Sequence, residues 1–461
     1  MEYRRLEAED HGRLKDLVGA ERFSAGPSVL DLHAQDRSAH PARRPEAVLW
    51  PVSAGEVAAV LAYAHGRRIP VTAWGAGSSL EGNPIPACGG IVLDCTRMDR
   101  ILEVREGDFQ ADVEPGVLYP DLNRRLRHSG LFFPPDPGTP ATVGGMIANN
   151  ASGPHAVGYG PTRDYVQRLT VVLATGEVLE LGTRAPKTSS GYDLLRLFVG
   201  SEGTLGLVVR ATLRLAGLPA EVSAAVIAFP TVAAAARAVF EITRAGLAPA
   251  ALELMDPRCV ALMNREEGLG LPERPTLFAE FHGVSSGSLA EVLAMARELC
   301  AAEGCLEFRA GVGWDDRDRL WRARHVLGEM IIRTHPDCRV VSLDVAVPLA
   351  AYPELMAAVE GEARAVGAAG YTFSHAGDGN VHLVVAGLRD DPNQWRRIDE
   401  ITDRLVGRAL ALGGTCTGEH GVGLGKRRFM EAEHGPSLEW MRRLKALFDP
   451  HGILNPGKIF P

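Results

Sequence analysis

The 461-residue sequence has neither long apolar runs nor blocks of like charge. No run approaches the roughly 18 apolar residues that a membrane-spanning helix needs. The net charge of −8 is spread along the chain, so the sequence lacks the basic face that a nucleic-acid partner requires. The N-terminal segment is charged and has no apolar core, and we therefore expect no secretory signal.

Cysteine is also sparse. The seven cysteines are odd in number and form no C-x-x-C pair, which argues against a disulfide scaffold and against an iron–sulfur cluster. A reducing compartment fits this pattern, and we predict a cytoplasmic protein, with peripheral attachment at the inner face of the membrane as the alternative. The length allows two or three domains, each with its own core.

Glycine, in contrast, is abundant, with 51 residues concentrated in loops. From Ala47 the pattern predicts a β-α-β unit whose helix starts at a capping box of Ser53 and Glu56. Its second strand runs into TAWGAGSSLEGN at residues 72–83, where small side chains would leave consecutive amides uncovered, as in an anion-binding nest. The loop matches neither a Walker A motif nor the G-x-G-x-x-G spacing. A tight turn is the alternative.

Two further glycine-rich stretches strengthen the binding interpretation. They are PPDPGTPATVGGMIANNASG at residues 134–153 and GSEGTLGLVV at residues 200–209, and a β-hairpin over Thr175-Gly176 is predicted between them. Three such loops among strands predict a groove for an extended ligand that carries phosphates and a flat ring.

The second half contains a cluster of potential metal ligands. Residues 371–385, YTFSHAGDGNVHLVV, predict two strands joined by a glycine turn, with His375 and His382 at one rim. Glu419 and His420 follow in the glycine-flanked loop TGEHGVG. Two imidazoles and a carboxylate suit zinc or another divalent first-row metal. The alternative for each histidine is a structural role in the core.

Strands alternate with apolar-faced helices from residue 220 onwards, and one of these helices offers a capping box in Ser288 and Glu291. This order predicts an α+β layer in which helices cover one side of an antiparallel sheet.

Several motifs together identify a family resemblance. They are GAGSSLEG, PPDPG, TVGGMIANNASG, GSEGTLG, HAGDGNVH, EHGVG and the terminal NPGKIF. Residues 46–217 resemble the FAD-binding domain of the vanillyl-alcohol oxidase and p-cresol methylhydroxylase (PCMH) class of flavoproteins. Residues 218–461 resemble the substrate and metal domain, or cap, of its D-2-hydroxyacid dehydrogenase branch. Residues 1–45 would form an N-terminal helix and arm.

The resemblance implies a set of FAD-binding residues. They are Trp74, Gly75, Ala76, Gly77, Ser78 and Ser79 at the pyrophosphate, Pro137, Gly138, Gly144, Gly145, Asn149, Ser152 and Gly153 along the flavin and ribityl chain, and Glu202, Gly203, Thr204, Gly206 and Val209 at the adenine end or the middle of the dinucleotide. Residues 72–83 contain no His or Cys, so we expect the FAD to be non-covalent. Cys88 and His155 are the side chains that would alter this expectation.

The resemblance also implies a mechanism. Arg324, three residues after Trp321, would bind the substrate carboxylate, although a surface charge on a polar helix is the alternative. His375, His382 and Glu419 would hold a divalent metal, most simply zinc, that activates the substrate hydroxyl. His420 would act as the base and Asn380 would orient the substrate. Flavin N5 would accept the hydride.

The branch includes cytochrome-linked D-lactate dehydrogenase, the FAD subunit of glycolate oxidase and D-2-hydroxyglutarate dehydrogenase. Relatives that act on the longer dicarboxylate tend to carry a basic residue where this chain has Ser342, two positions before Asp344. The sequence therefore favours oxidation of D-lactate to pyruvate, with glycolate and D-2-hydroxyglutarate as alternatives. Electrons would pass to a cytochrome, a quinone or an electron-transfer flavoprotein, and a homodimer is an open expectation.

Two interpretations from other classes are weaker. A zinc hydrolase would use the same two histidines and glutamate but would need no dinucleotide groove. A non-catalytic FAD-binding module would keep the loops but could lose His420 and Arg324, and both are present.

Overall fold

The computed structural model describes residues 2–312 and 314–461. The chain divides into two compact units. The first comprises Met1–Ser152, Pro161–Leu218 and Glu419–Pro461, and the second comprises Gly153–Gly160 and Pro219–Gly418. The predicted boundary at residues 217/218 lies beside the point where the chain leaves the first unit. The segment after Gly418 groups with the first unit, whereas the sequence predicted one domain over 218–461.

The strands and helices follow in chain order. The strands are β1 (Phe23–Ser24), β2 (Ala47–Leu49), β3 (Val71–Trp74), β4 (Ile91–Asp94), β5 (Ile101–Arg105), β6 (Gln110–Val113), β7 (Leu131–Phe132), β8 (Val166–Val172), β9 (Val178–Gly182), β10 (Leu207–Arg214), β11 (Ala216–Gly217), β12 (Glu221–Ala228), β13 (Ala251–Met255), β14 (Thr276–Gly283), β15 (Glu307–Val312), β16 (Cys338–Ala346), β17 (Ala369–His375) and β18 (Asn380–Leu388). The helices are α1 (Ala8–Val18), α2 (Pro27–Leu32), α3 (Ala54–Arg67), α4 (Tyr119–Leu126), α5 (Val143–Asn149), α6 (Ala156–Tyr159), α7 (Leu195–Phe198), α8 (Val232–Arg244), α9 (Pro257–Glu267), α10 (Ser286–Ala302), α11 (Trp314–His325), α12 (Leu327–Thr334), α13 (Tyr352–Ala365), α14 (Pro392–Ala411), α15 (Met430–His434) and α16 (Ser437–Phe448).

The first unit contains the predicted β-α-β arrangement. Its sheet has the order β1-β2-β4-β3, with β2, β4 and β3 parallel, and α3 connects β2 to β3. Helix α3 begins after Ser53, whose Oγ accepts a hydrogen bond from the amide of Glu56 at 3.2 Å. Its buried residues recur at helical spacing and pack with the strands in one hydrophobic cluster. The local sequence signals therefore located this unit and its cap correctly, but the predicted capping box is only half formed, since Glu56 Oε2 accepts from the amide of Val52 at 2.9 Å rather than from that of Ser53.

A second sheet of the first unit is antiparallel and has the order β5-β6-β10-β8-β9. Strands β8 and β9 form the predicted hairpin, and Gly176 in its turn has a φ of +86°. The C-terminal segment joins this unit through the backbone, because the amide of Val71 donates to Ile453 O and the amide of Asn455 donates to Val71 O, each at 2.8 Å.

The second unit contains a seven-stranded sheet in the order β15-β12-β14-β13-β17-β18-β16, antiparallel at every pairing. The predicted antiparallel sheet is therefore confirmed. Helices lie on both of its faces rather than on one. A Cβ on Gly283, Gly370 or Gly387 would meet α10, α13 or α14 respectively, and these strand positions point away from the face that α9, α11 and α12 cover.

The predicted capping box of Ser288 and Glu291 is wrong. Helix α10 begins after Ser285, whose Oγ accepts from the amide of Ser288 while the Ser288 hydroxyl reaches back toward the Ser285 amide. Ser288 is thus the third residue of the helix rather than its cap, because the motif S-x-x-S supplies the same reciprocal bonds one turn earlier. Within the described residues, no helix is both long and apolar enough to cross a membrane.

Candidate active site

The loop after β3 has the geometry that an anion needs. Within the described part of the chain, the amides of Ala76, Gly77, Ser78 and Ser79 donate to no protein acceptor. Gly77 has a φ of +63°, and a Cβ there would lie 2.7 Å from the ring of Trp74. Consecutive uncommitted amides around a residue that must be glycine form a nest for phosphate oxygens. The loop fits the diphosphate of a dinucleotide.

The three glycine-rich loops come together in the first unit. A Cβ on Gly75 would meet Thr142 Oγ1 at 2.3 Å, and Thr142 caps the start of α5. The amides of Gly200 and Glu202 donate to the carbonyls of Ile147 and Ala148 in α5, at 2.9 and 2.8 Å. The first loop therefore lies against the second, and the third is hydrogen-bonded to the second.

Glu202 accepts hydrogen bonds through both its side chain and its backbone carbonyl. It has a φ of +52°, and its buried carboxylate accepts hydrogen bonds from Asn83 Nδ2 at 2.7 Å and from the amides of Val422 and Gly423 at 2.6 and 2.9 Å. Its carbonyl accepts from Asn455 Nδ2 at 2.7 Å. Burial raises the pKa of Glu202, while these donors act in the opposite direction. Glu202 thus connects two C-terminal segments, at residues 422–423 and at Asn455, to Asn83 in the loop that follows the anion-binding nest.

The predicted site residues divide between the two units. The first unit carries Glu419, His420 and all of the predicted FAD residues except Gly153, and the second carries Gly153, Arg324, His375, Asn380 and His382. Val209 lies in the hydrophobic core with Val71 and Leu207, so its side chain is structural. Thr204 donates its hydroxyl to Ser201 O.

The hairpin β17–β18 brings His375 and His382 together as the sequence predicted. Both side chains are buried, their ring centroids are 5.1 Å apart, and their nearest ligating atoms lie within 4.8 Å of each other. The turn between them requires Gly379, which has a φ of +68° and where a Cβ would lie 2.2 Å from Val347 O. Two buried imidazoles at this distance can share one cation.

Glu253, which the sequence analysis missed, is the central charge of this region. It lies on β13 with no exposed surface, and its Oε1 is 2.7 Å from His375 Nδ1. Its Oε2 accepts from Arg324 Nε at 2.8 Å, and Arg324 Nη2 also lies 2.6 Å away. Burial alone would raise the pKa of Glu253, but the charges and hydrogen bonds of its two partners hold that pKa below its ordinary value.

This contact favours a metal-ligating role for His375. A carboxylate at Nδ1 fixes the tautomer, so that Nε2 is the nitrogen with which His375 would bind a cation. The sequence signal that could have identified Glu253 is the presence of an acidic residue within the apolar strand ALELM.

Arg324 is buried rather than on the surface, with 7% of its area exposed. Its guanidinium lies 4.5 Å from the centroid of the Phe373 ring. Glu253 engages the Nε and Nη2 edge, which leaves Nη1, among the contacts of the described residues, for a further acceptor. An arginine held in this way offers N–H donors in a fixed orientation to a carboxylate.

Asp344 accepts hydrogen bonds from the two residues that precede Glu419. It is fully buried opposite His382 in the sheet, with its Oδ1 3.6 Å from His382 Nδ1. Its Oδ2 accepts from Thr417 Oγ1 and from the amide of Gly418, each at 2.8 Å. Gly418 therefore lies beside the aspartate that neighbours His382, and Glu419 is the next residue in the chain.

The amide group of Asn380 is also engaged. Its Nδ2 donates to Asp344 Oδ1 at 2.6 Å and to Val345 O at 3.0 Å. These bonds fix the orientation of the side chain, so that Oδ1 is the atom with which Asn380 would meet a substrate donor.

His420 lies in the first unit. Its carbonyl accepts a hydrogen bond from Asn149 Nδ2 at 3.4 Å, and the Nε2 of His420 is 4.0 Å from Glu419 Oε1. Asn149 is a predicted flavin residue and His420 the predicted base, so this hydrogen bond links two predicted site residues within one unit.

The chain is similar to known proteins along most of its length. Residues 218–459 match the model for the C-terminal domain of FAD linked oxidases, and residues 45–182 match the model for an FAD binding domain. The chain is 40% identical over 449 residues to a probable mitochondrial D-lactate dehydrogenase of Danio rerio, covering 96% of this chain and 90% of that protein. It is 36% identical over 418 residues to a mitochondrial D-lactate dehydrogenase [cytochrome] of Arabidopsis thaliana, covering 90% of this chain and 74% of that protein.

The fold is shared with a more distant solved structure. The structure of 4-ethylphenol oxidase from Gulosibacter chungangensis superposes with a TM-score of 0.81 at 20% sequence identity and covers 100% of this chain and 99% of its own. This similarity establishes the architecture alone. The predicted PCMH-type domain followed by an α+β domain is confirmed.

Proposed function

The chain belongs to the FAD-linked oxidases, and within that family we propose that it oxidises a short D-2-hydroxy acid, D-lactate to pyruvate in the first instance. The observation that carries this proposal is the position of Glu253 between the predicted metal ligand His375 and the predicted substrate arginine Arg324. One buried carboxylate thereby contacts both the residue that would bind the cation and the residue that would bind the substrate anion. A 2-hydroxy acid, with adjacent hydroxyl and carboxylate groups, matches such a pair.

The residues of this chain would bind and orient that substrate. Arg324 would hold the carboxylate through Nη1, since Glu253 occupies its other edge. Asn380, whose amide nitrogen is fixed by Asp344, would accept a hydrogen bond from the substrate through Oδ1. His420 would take the hydroxyl proton. Substrate binding would thus fall to Arg324 and Asn380, whose side chains Glu253 and Asp344 hold in position.

Two bound groups would complete the site. FAD supplies the acceptor for the C2 hydride, and the nest at Ala76–Ser79 and the loops at Thr142 and Glu202 would hold it without a covalent bond. A divalent metal, which we propose is zinc, supplies a positive charge that lowers the pKa of a nearby hydroxyl, and His375, His382 and Glu419 would hold it. The donor set of two imidazoles and one carboxylate leaves coordination positions open.

The electron acceptor is proposed to be a cytochrome, because the Arabidopsis thaliana relative is named as a cytochrome-linked enzyme. A quinone and an electron-transfer flavoprotein are the alternatives. The two relatives are named mitochondrial. For this chain, location in the cytoplasm or at the inner face of a membrane and assembly as a homodimer stay predictions.

The test is anaerobic titration of the purified holoprotein with D-lactate, L-lactate, glycolate and D-2-hydroxyglutarate, following the flavin absorbance near about 450 nm. We expect bleaching by D-lactate, little by L-lactate, and loss of the response after treatment with a chelator and recovery with zinc. Preferential bleaching by D-2-hydroxyglutarate or by glycolate would show that this acid, rather than D-lactate, is the substrate. Absence of bleaching by all four acids in a flavin-loaded protein would refute the proposal.

A further inference from the structure

A second buried carboxylate lies on the same face of the sheet as Glu253. Glu280 on β14 has no exposed surface. In the register of β13 and β14, Glu253 is opposite Phe278 and Glu280 is opposite Ala251, so both glutamates point to the side covered by α11. An interior carboxylate on an apolar face requires cationic partners, because desolvation disfavours its charge.

Glu280 receives its main partner from α11. Arg317 Nε donates to Glu280 Oε2 at 2.8 Å and Nη2 donates to Oε1 at 3.0 Å, which is a two-point contact. Arg317 precedes Arg324 by seven residues, or two helical turns, so the two side chains leave the same face of α11. The helix is thus joined to the sheet at Glu280 and at Glu253, about 10 Å apart along its axis.

Glu280 also joins the segment Gly153–Gly160, which directly follows the predicted flavin residue Ser152. His282 Nε2 lies 2.7 Å and His155 Nε2 lies 3.4 Å from Glu280 Oε1. The hydroxyl of Tyr159 lies 2.6 Å from His282 Nδ1. Burial would raise the pKa of Glu280, but hydrogen bonds from the two histidines and Arg317 hold that pKa well below its ordinary value.

A contribution to stability does not by itself explain the buried ion pair of Glu280 and Arg317. Buried ion pairs are often replaced by apolar residues of similar volume with little loss of stability, and their best-supported role is to fix one arrangement among several. Helix α11 offers few apolar anchors among its described side chains, namely Leu320, Trp321 and Ala323. A slip of one residue would rotate its side chains by about 100° and remove Arg324 from its place.

We propose that Glu280 and Arg317 are positioning residues that set the register of α11, and that they thereby place the guanidinium of Arg324 for the carboxylate of the 2-hydroxy acid. The inference rests on the proposed function for the identity of the ligand. The register itself can be tested without any ligand.

The test compares four holoprotein variants. Arg317→Met removes the link from α11 while Glu280 keeps two histidine partners, and Arg317→Lys retains the charge without the two-point contact. Glu280→Gln removes the charge from the sheet side. Arg322→Met is the matched control, since Arg322 is an exposed arginine of the same helix. Thermal melting and FAD content establish that each variant is folded and loaded.

We expect Arg317→Met and Glu280→Gln to raise the KM for flavin reduction about tenfold with less than about a threefold change in the limiting rate, because a displaced substrate anchor weakens productive binding. Arg317→Lys should recover part of the KM, and Arg322→Met should leave it unchanged. Hydrogen exchange of the α11 amides should accelerate in Arg317→Met and not in Arg322→Met.

The two readouts separate the two proposals. If no 2-hydroxy acid reduces the wild-type flavin, the proposed function fails, while faster exchange in α11 still supports the register. Unchanged exchange in folded Arg317→Met, or a KM equal to that of the wild type in both Arg317→Met and Glu280→Gln, overturns the positioning role. If Arg317→Met does not fold, Glu280→Gln gives the same decision.

Discussion

Replacement of Glu253 by glutamine tests the centre of the site most directly. Glu253→Gln keeps the size of the side chain but removes the charge that His375 and Arg324 share. Loss of a carboxylate behind a metal-ligating histidine typically weakens metal binding about 10- to 100-fold, or about 1.4–2.7 kcal/mol. Arg324, with only 7% of its surface exposed, would also lose its counter-charge. Breaking a buried ion pair from one side costs about 3–5 kcal/mol of folding free energy.

Both effects can be measured on purified protein. Competition with a chelator gives the zinc affinity, and thermal unfolding gives the stability, which should fall by about 6–12 °C in Tm if about 3 kcal/mol is lost. Glu303→Gln is the control, because Glu303 pairs with Arg237 at the surface, where such a pair contributes less than about 1 kcal/mol. A Glu253→Gln protein with wild-type zinc affinity and wild-type Tm would refute the reasoning.

Three further predictions concern other parts of the chain. Ser342→Lys should increase flavin reduction by D-2-hydroxyglutarate relative to D-lactate in the same titration, and Ser342→Met should not, because only lysine offers a charge to a second carboxylate. Asp344→Asn should weaken zinc binding about tenfold by chelator competition, since Thr417 and Gly418 lose a charged acceptor; equal affinity would exclude Asp344 from the support of the site. Burial lowers the pKa of Lys458 from 10.5 to about 8, so the unfolded chain holds more protons between these values and stability should rise with pH there. Lys458→Met should show a smaller rise in Tm from about pH 8 to pH 10, and an identical slope would contradict the assignment.

Local signals in the sequence predicted the elements that depend on neighbouring residues. The start of α3 follows from Ser53, and the hairpin that carries His375 and His382 follows from the glycine turn between two β-rich runs. Both features are decided within about ten residues of chain, so that propensity and turn chemistry suffice. The motif resemblance supplied the flavoprotein architecture, which the comparisons confirm.

Features that depend on distant pairing could not be obtained in this way. One of the contacts that join the C-terminal segment to the rest of the first unit is the bridge between Val71 and Leu454, and a contact across nearly 400 residues has no local signature. The number of helices on each face of the second sheet depends on strand order, and the alternation of side chains along one strand does not reveal what covers either face.

The two buried glutamates illustrate a more useful form of sequence evidence. ALELM and LFAEF each place one acidic residue inside an otherwise apolar strand, where an uncompensated charge would cost several kcal/mol. Such a residue predicts a cationic partner, and α11 supplies two arginines at a spacing of seven, which is the spacing that keeps them on one side of a helix. Glu253 takes Arg324 and Glu280 takes Arg317, and each also contacts a histidine. An acidic residue inside an apolar strand and two arginines spaced by seven residues on a helix therefore predict the same ion pairs. Strand order decides which glutamate meets which arginine.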